Sequence, residues 1–175
     1  KHLSQTRFEE MDPPDLFFHS VGSPAITYLL FLAGMGLLVF ELYTAGVGIA
    51  GVLGALCLLL GFYGLAVLPS NPWGIALLIF SMFSFAIDVQ TGVPRFWSLI
   101  ATISLIAGSL LLFDGLSLSW LTLLFGILLT VTCMSAGMPA MIRTRFATPT
   151  IGREWIVGEL GKAIEEINPN GTVEV

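Results

Sequence analysis

The chain has 175 residues, of which 55% are hydrophobic and only 11% are charged, and its formal net charge is −5. Soluble domains carry about 25% charged residues, so this composition excludes a chain that folds in water by itself, and the lack of a Lys/Arg cluster excludes nucleic acid as an expected partner. The apolar block from Pro24 to Ile142 holds few charged residues: Glu41, Asp88, Arg95 and Asp114.

Residues 1–23 are polar and acidic, and we expect them to form an extracytoplasmic segment. Five apolar stretches follow and compose a predicted transmembrane domain over residues 24–145. Their predicted bounds are 24–42, 46–68, 73–87, 96–113 and 118–142. The third is short for a hydrocarbon core of about 30 Å, and Pro139 is expected to kink or end the fifth. The predicted fold class is an all-α polytopic membrane protein with about five transmembrane helices, followed by a short β segment.

The basic residues beside the spans predict the orientation. Arg95, between the third and fourth spans, falls on the same side as Arg143 and Arg145, which follow the fifth. The positive-inside rule places these residues in the cytoplasm. The protein is therefore expected to be integral to a prokaryotic-type plasma membrane, with an extracytoplasmic N-terminus and a cytoplasmic C-terminus.

The last segment, residues 146–175, differs in composition from the spans. Ile156–Ile167 and Thr172–Val175 have strand-like content, and Asn168–Gly171 is a strong turn signal between them. We expect a cytoplasmic β-hairpin here. Since an isolated two-stranded hairpin is marginal in water, it is expected to pack on another surface or to open a small β-domain.

A repeat is visible within the apolar block. Glu41 and Asp88 lie 47 residues apart, as do Gly61 and Gly108, and each acid ends a predicted span. The first four spans are therefore interpreted as two helical hairpins in parallel orientation. Coincidence is the alternative to this interpretation.

Small residues mark one face of the second span. Gly46, Ala50 and Gly54 recur every four residues, and Gly51 and Ala55 form a neighbouring row. Small residues at this spacing let helix backbones approach closely in lipid. They predict a helix–helix or subunit interface, with ordinary packing against the first span as the alternative.

Three acids lie at predicted span ends: Glu41, Asp88 and Asp114. Asp88 and Asp114 flank the fourth span, and a helix of that length separates them by roughly 39 Å, which excludes an intramembrane aspartyl protease pair. Glu41 and Asp88 share the predicted cytoplasmic side, so a pair between them is allowed. The alternative is that both simply end their helices.

No catalytic residue, metal ligand or cofactor site is expected in the spans. The histidines (His2, His19) and lysines (Lys1, Lys162) all lie outside them, so an intramembrane serine nucleophile would lack a base. The span serines are expected to hydrogen-bond back to their own helices: Ser81, Ser84, Ser104, Ser109 and Ser135. Cys57 and Cys133 are expected to be packed thiols.

Three stretches resemble the NfeD family. FELYTAGVGIAGVLGALCLLLGF (Phe40–Phe62) resembles its first hairpin, and SNPWGIALLIFSMFSFAIDVQTG (Ser70–Gly92) resembles its second. GREWIVGELGKAIEEINPNGTVEV (Gly152–Val175) resembles the opening of the family's C-terminal OB-fold domain, here with about two of its five strands.

The resemblance implies a function. Family members associate with stomatin/flotillin-like (SPFH) membrane proteins, so we expect a scaffold that binds such a partner and supports membrane organisation or membrane-protein quality control. The long form of the family carries a ClpP-class serine protease domain before the spans, and the acidic start of this chain fits a junction after it. An anchor for that protease is the alternative, although its Ser–Lys dyad is absent from these residues. A small transporter is a second alternative, and homo-oligomerisation is left open.

Overall fold

The structure is a computed structural model that describes residues 13–44, 48–91, 96–146, 158, 160–164 and 173–174. The chain divides into two compact units, Lys1–Ile142 and Arg143–Val175. The first unit is helical in its described part and carries the candidate sites.

Seven helices follow one another along the described chain. They are α1 (Pro13–Val21), α2 (Pro24–Thr44), α3 (Ile49–Val67), α4 (Pro72–Thr91), α5 (Phe96–Leu111), α6 (Trp120–Thr132) and, after a π-helical turn (Cys133–Gly137), α7 (Met138–Phe146). Four helices are long and apolar enough to cross a membrane: α2, α3, α4 and the continuous helix Trp120–Thr144. Helix α5 is apolar but shorter. The expectation of a helical polytopic membrane fold is therefore confirmed for four spans.

Two helices run beyond the acids that were expected to mark their ends. Helix α2 continues past Glu41 to Thr44, and α4 continues through Asp88 to Thr91. The short apolar helix is thus α5, with 16 residues, whereas α4 has 20. Both carboxylates accept hydrogen bonds from the neighbouring helix of their hairpin.

Pro139 does not end the last long helix. Its missing N–H and its ring disfavour an ordinary helical turn around Ser135, the residue four positions earlier. The chain widens into a π-helical turn over Cys133–Gly137 just before the proline and then continues as α7. A single π turn of this kind absorbs the steric conflict without breaking the helix.

Two antiparallel hairpins and α6 build the first unit. Helix α2 packs along α3, and α4 packs along α5, while α6 contacts both α2 and α5. The centre of the unit is apolar, and its completely buried residues include Tyr28, Phe31, Leu78, Leu105 and Leu112. This core holds the ends of the hairpins at defined positions.

The α3–α4 and α5–α6 loops pair with each other at one end of the unit. The Asn71 amide donates to the Leu112 carbonyl at 2.8 Å, and the Asp114 amide donates to the Pro69 carbonyl at 2.9 Å. Trp73 and Trp120 begin α4 and α6 beside these loops and are each 77% exposed. Exposed tryptophans at a span end are typical of the membrane–water interface.

The second unit contains two short strands in its described part. Strand β1 (Lys162–Ala163) pairs antiparallel with β2 (Val173–Glu174), with Lys162 opposite Glu174. Two residues per strand do not confirm the predicted β-hairpin or the start of an OB-fold. The predicted turn at Asn168–Gly171 lies outside the described residues.

Candidate functional site

Glu41 joins the two helices of the first hairpin. Its Oε1 accepts a hydrogen bond from the Gly48 amide at 3.0 Å, and its Oε2 accepts one from the Gly51 amide at 3.3 Å. These amides belong to the first turn of α3, whose N–H groups have no partner within the helix. Gly48 has φ +83°, a conformation that a residue without Cβ adopts readily. A carboxylate on α2 therefore caps the N-terminus of α3 and favours its positive dipole end.

Asp88 performs the same task in the second hairpin. Its Oδ1 accepts a hydrogen bond from the Ser98 amide at 3.1 Å, and its Oδ2 accepts one from the Ser98 hydroxyl at 2.6 Å. Ser98 lies in the first turn of α5. The Asp side chain is one carbon shorter than that of Glu. In the first hairpin both donors are backbone amides of glycines, whereas in the second hairpin the Ser98 hydroxyl is the second donor.

The two hairpins repeat the same contacts with an offset of 47 residues. Helix α2 touches α3, and α4 touches α5, through positions that correspond one to one. The matching pairs are Thr27–Gly64 with Gly74–Leu111, Phe31–Gly61 with Leu78–Gly108, Gly34–Gly54 with Ser81–Ala101, and Glu41–Gly51 with Asp88–Ser98. The predicted repeat is thus confirmed by contacts between side chains and backbone.

The third acid has a looser role. Asp114 is exposed, and its Oδ1 accepts a hydrogen bond from the Asn71 side-chain amide at 3.3 Å, between the paired loops. Glu41 and Asp88 each bond within their own hairpin. Among the residues that the structure describes, no group of three or more His, Cys, Asp or Glu side chains is placed to hold a metal ion.

The small residues of α3 differ in how deeply they are buried. Gly54 is buried, and a Cβ on it would lie 3.0 Å from the Gly34 carbonyl oxygen of α2. A Cβ on Gly51 would lie 3.1 Å from Cγ of Glu41. Ala50 is half-buried and Ala55 is exposed. Gly46 lies outside the described residues, and whether Ala50 and Ala55 serve a subunit interface stays a prediction.

The topology-setting arginines are placed only in part. Arg95 lies outside the described residues. Arg143 is exposed on α7, and Arg145 belongs to the same helix. Their role in orientation stays a prediction.

Several buried hydroxyls link helices, which the sequence did not indicate. The Ser81 hydroxyl donates to the Ala101 carbonyl of α5 at 2.8 Å, whereas we had expected it to bond within its own helix. Ser84 does bond within its helix, to the Phe80 carbonyl at 2.9 Å. Both serines are completely or almost completely buried on α4. Only the rotation of the helix, which its uniformly apolar sequence does not reveal, distinguishes them.

Tyr28 makes the longest-range of these contacts. The Ser109 hydroxyl donates to the Leu105 carbonyl at 2.7 Å, so Tyr28 is left as the donor in the 2.9 Å bond between the two hydroxyls. The ring of Tyr28 also lies against α6, where a Cβ on Gly126 would be 2.6 Å from the ring. Tyr28 therefore joins α2, α5 and α6 at one point, and the missing Cβ of Gly126 makes room for it.

The described part of the first unit carries at least two apolar grooves. The larger, about 520 Å³, runs between α2 and the α6–π segment and includes Leu29, Phe40 and Met134. The smaller, about 370 Å³, lies between the first hairpin and α4. Sites for polar small molecules combine apolar walls with a few convergent polar groups, and the residues lining these grooves are almost wholly apolar. Their chemistry suits acyl chains or apolar helices.

The chain is similar to known proteins over most of its length. The sequence profile of the NfeD integral membrane domain matches residues 25–139. A protein of Pyrococcus horikoshii named as a membrane-bound protease is 28% identical over 171 residues, covering 92% of this chain. The chain spans 39% of the length of that relative. No solved structure matches the chain.

Proposed function

The chain belongs to the NfeD family of integral membrane proteins, and on that premise we propose that it is a non-catalytic scaffold that binds a stomatin/flotillin-like (SPFH) partner. In this role it supports membrane organisation or membrane-protein quality control. The partner class follows from the family resemblance, and the structure supplies the chemical argument for a scaffold.

The main support for this proposal is the hydrogen bonding of the two acids within the spans, Glu41 and Asp88. Ionisable groups inside spans are functional candidates by default. Here each carboxylate accepts two hydrogen bonds at the start of the neighbouring helix. Glu41 and Asp88 therefore stabilise the hairpins, and this supports a structural role for them over proton transfer or ion conduction.

Recovery of the partner from native membranes tests the scaffold role. The complete protein carries an affinity tag and is extracted in mild detergent, beside an equally tagged membrane protein of unrelated sequence. We expect quantitative mass spectrometry to show an SPFH protein enriched at least tenfold over the control. Repeated recovery of the tagged chain without an SPFH protein would contradict the proposal.

The similarity to a membrane-bound protease supports a second candidate, the anchor of a serine protease. In this case the catalytic domain lies in the same polypeptide, upstream of Lys1. The relative that suggests it is named as a protease, and this chain matches 39% of its length. The helices would then hold that domain at the extracytoplasmic surface.

The gene and the complete protein distinguish the two candidates. An initiator methionine or a signal peptide directly before Lys1 rules out the upstream domain. If the domain is present, we expect an activity-based fluorophosphonate probe to label the complete protein at one serine, and mutation of that serine to abolish labelling. Labelling that survives this mutation would argue against a serine protease.

We also propose that α5 is a fifth span and that the C-terminus is cytoplasmic. The pairing of the α3–α4 and α5–α6 loops requires α5 to run the full height of the hairpin. Its 16 helical residues span about 24 Å at 1.5 Å per residue, and the buried Leu112 and Phe113 extend it.

In intact cells, an impermeant maleimide should label Leu116→Cys but not Thr91→Cys. Labelling of both would contradict a fifth span, and the reverse pattern would contradict the orientation.

A further inference from the structure

Helix α1 folds back against the first hairpin at the start of α2. Two residues separate the helices, and across this connection the Thr27 hydroxyl donates to the Val21 carbonyl at 2.9 Å. The ring of Phe18 lies against that of Tyr63 on α3, with the centroids 5.4 Å apart, and Tyr63 directly precedes Gly64, the residue of α3 that faces Thr27. If α1 continued the axis of α2, Phe18 would lie about 14 Å beyond Thr27 at 1.5 Å per residue. The chain therefore turns between the two helices and brings Phe18 close to the depth of the first turn of α2.

The same end of the hairpin carries the exposed tryptophans. Helix α3 ends at Val67, four residues after Tyr63, and leads into the paired loops. Trp73 and Trp120 begin α4 and α6 beside these loops, and their high exposure is typical of the membrane–water interface. Since four helical residues rise about 6 Å, the ring of Phe18 lies just inside this interface and not out in water.

Helix α1 presents an apolar face that the described chain leaves about half open. Leu16, Phe17 and Phe18 are 52%, 51% and 46% exposed. At 3.6 residues per turn, successive residues lie about 100° apart around a helix, so this face is centred on Phe17, and His19 lies on the opposite side. Ser20 falls between Leu16 and Phe17, but its hydroxyl donates back to the Leu16 carbonyl at 2.9 Å. A serine bonded in this way is compatible with an apolar surrounding.

The apolar face of α1 continues the lipid-facing surface of α3. The rings of Phe17 and Phe18 meet edge to face with centroids 5.6 Å apart, and Phe18 meets Tyr63. Tyr63 is itself 41% exposed, and one turn earlier Leu59 is 67% exposed on a helix long and apolar enough to cross a membrane. Lipid that surrounds Leu59 therefore reaches Tyr63 and the two phenylalanine rings along one continuous apolar surface.

We propose that α1 is an interfacial helix that inserts Leu16 and Phe17 among the acyl chains of the bilayer, with His19 directed to water. Helices that lie in the membrane interface bind through buried apolar area, to which basic residues add attraction for anionic headgroups. Residues 13–21 include no Lys or Arg. The binding partner is therefore the acyl region of the phospholipids, whatever their headgroup, and α1 anchors the start of α2 at the membrane surface.

Fluorescence quenching from lipid and from water tests this placement. The complete protein is freed of its native thiols, including Cys57 and Cys133, and a bimane label is attached to Phe17→Cys or to His19→Cys in phosphatidylcholine vesicles. The two positions form a matched pair, since both are exposed on the same helix. Lipid with a nitroxide near the headgroup end of its acyl chain should quench the Phe17→Cys label at least threefold more than the His19→Cys label, and aqueous iodide should show the opposite preference. Equal quenching of the two labels by either reagent, or a reversed preference, would overturn the proposal.

Two further measurements distinguish acyl chains from other partners of the same face. Partial replacement of phosphatidylcholine by phosphatidylglycerol should leave the quenching ratio unchanged, and a ratio that rises with the anionic lipid would show headgroup binding instead. In native membranes, photoactivated benzoylphenylalanine in place of Phe17 should add the mass of a phospholipid to the chain, as measured by mass spectrometry of the intact protein. A protein adduct as the main product would show that another polypeptide covers α1 and would overturn the proposal. Because the vesicles contain only this chain and lipid, the quenching result is independent of any SPFH partner.

Discussion

The two hairpins of this membrane domain have the same architecture but are stabilised by different interactions. In the first, Gly34 and Gly54 bring the backbones of α2 and α3 into direct contact. In the second, the equivalent positions are Ser81 and Ala101, joined by a hydrogen bond of 2.8 Å. In lipid, where hydrophobicity does not drive helices together, close packing and interhelical hydrogen bonds are two of the available sources of stability.

The caps show the same division. Glu41 accepts both of its hydrogen bonds from backbone amides, while Asp88 accepts one from an amide and one from a hydroxyl. A backbone donor is fixed by the helix, whereas a hydroxyl rotates to suit its partner. Substitution of the capping acid is therefore expected to lower stability more in the first hairpin than in the second.

The largest expected effect follows from a methyl group at Gly34. Its Cβ would lie 2.8 Å from the Leu58 amide nitrogen and 2.9 Å from the Gly54 carbonyl oxygen, and backbone atoms cannot rotate away. Gly36→Ala is the matched control, because its Cβ would meet only the flexible end of Met134 at 3.2 Å. Both changes gain the same helix propensity, so Gly34→Ala should be less stable than Gly36→Ala by about 3 kcal/mol, the upper range for overpacking. The measurement is the free energy of unfolding in mild detergent, and equal stability of the two variants would contradict close backbone packing.

The next comparison concerns the two caps. Glu41→Gln places an NH₂ group against a fixed backbone amide, and we expect it to lower the free energy of unfolding by about 2 kcal/mol, as for a hydrogen bond to a charged group. Asp88→Asn should cost only about 0.5 kcal/mol, since the Ser98 hydroxyl can turn to accept from the new amide. Asp88→Asn combined with Ser98→Ala removes that adjustment and should restore the larger loss. Similar losses for the two single variants would show that the hydroxyl gives no such tolerance.

The sequence locates these sites but does not assign their contacts. The apolar stretches and the charges at their ends follow from composition, so Glu41, Asp88 and the 47-residue spacing between them are visible in the sequence. What the carboxylates bind depends on the pairing of helices within a hairpin, which hydropathy does not report. Likewise, the sequence does not reveal which of Ser81 and Ser84 faces α5. A helix that is apolar all round carries no signal of its rotation.

The small residues illustrate the same limit. A spacing of four predicted that Gly46, Ala50 and Gly54 form one row. The residues of α3 that approach α2 are Gly51, Gly54, Leu58, Gly61 and Gly64, spaced by three or four residues. A helix of 3.6 residues per turn uses both spacings to keep one face against its neighbour. Which small residues belong to that face depends on the partner helix, and spacing alone does not show it.

A smaller effect is expected at Gly48, a glycine in the left-handed conformation whose amide donates to Glu41. Gly48 has φ +83°, and Gly115, in the α5–α6 loop, has φ +75°. Alanine at either position should lower the free energy of unfolding by about 1 kcal/mol through the left-handed conformation. Because the Gly48 amide donates to Glu41, Gly48→Ala should be non-additive with Glu41→Gln, whereas Gly115→Ala should add to it. Double-mutant cycles measure this difference. Additivity at both positions would show that Gly48 and Glu41 contribute to stability independently.

A similarly small effect is expected at Tyr28, a residue that links the first hairpin to the second. Tyr28→Phe keeps the ring between Ser109 and Gly126 and removes only the hydroxyl bond of 2.9 Å. Hydrogen bonds between membrane helices contribute about 0.6 kcal/mol on average, so the free energy of unfolding should fall by that amount. Ser109→Ala should cost more than Tyr28→Phe, because it leaves a buried tyrosine hydroxyl without its acceptor, and adding Tyr28→Phe to Ser109→Ala should recover part of the loss. A double variant less stable than Ser109→Ala alone would show that the hydroxyl of Tyr28 finds another partner and that the ring, not the hydrogen bond, holds the hairpins together.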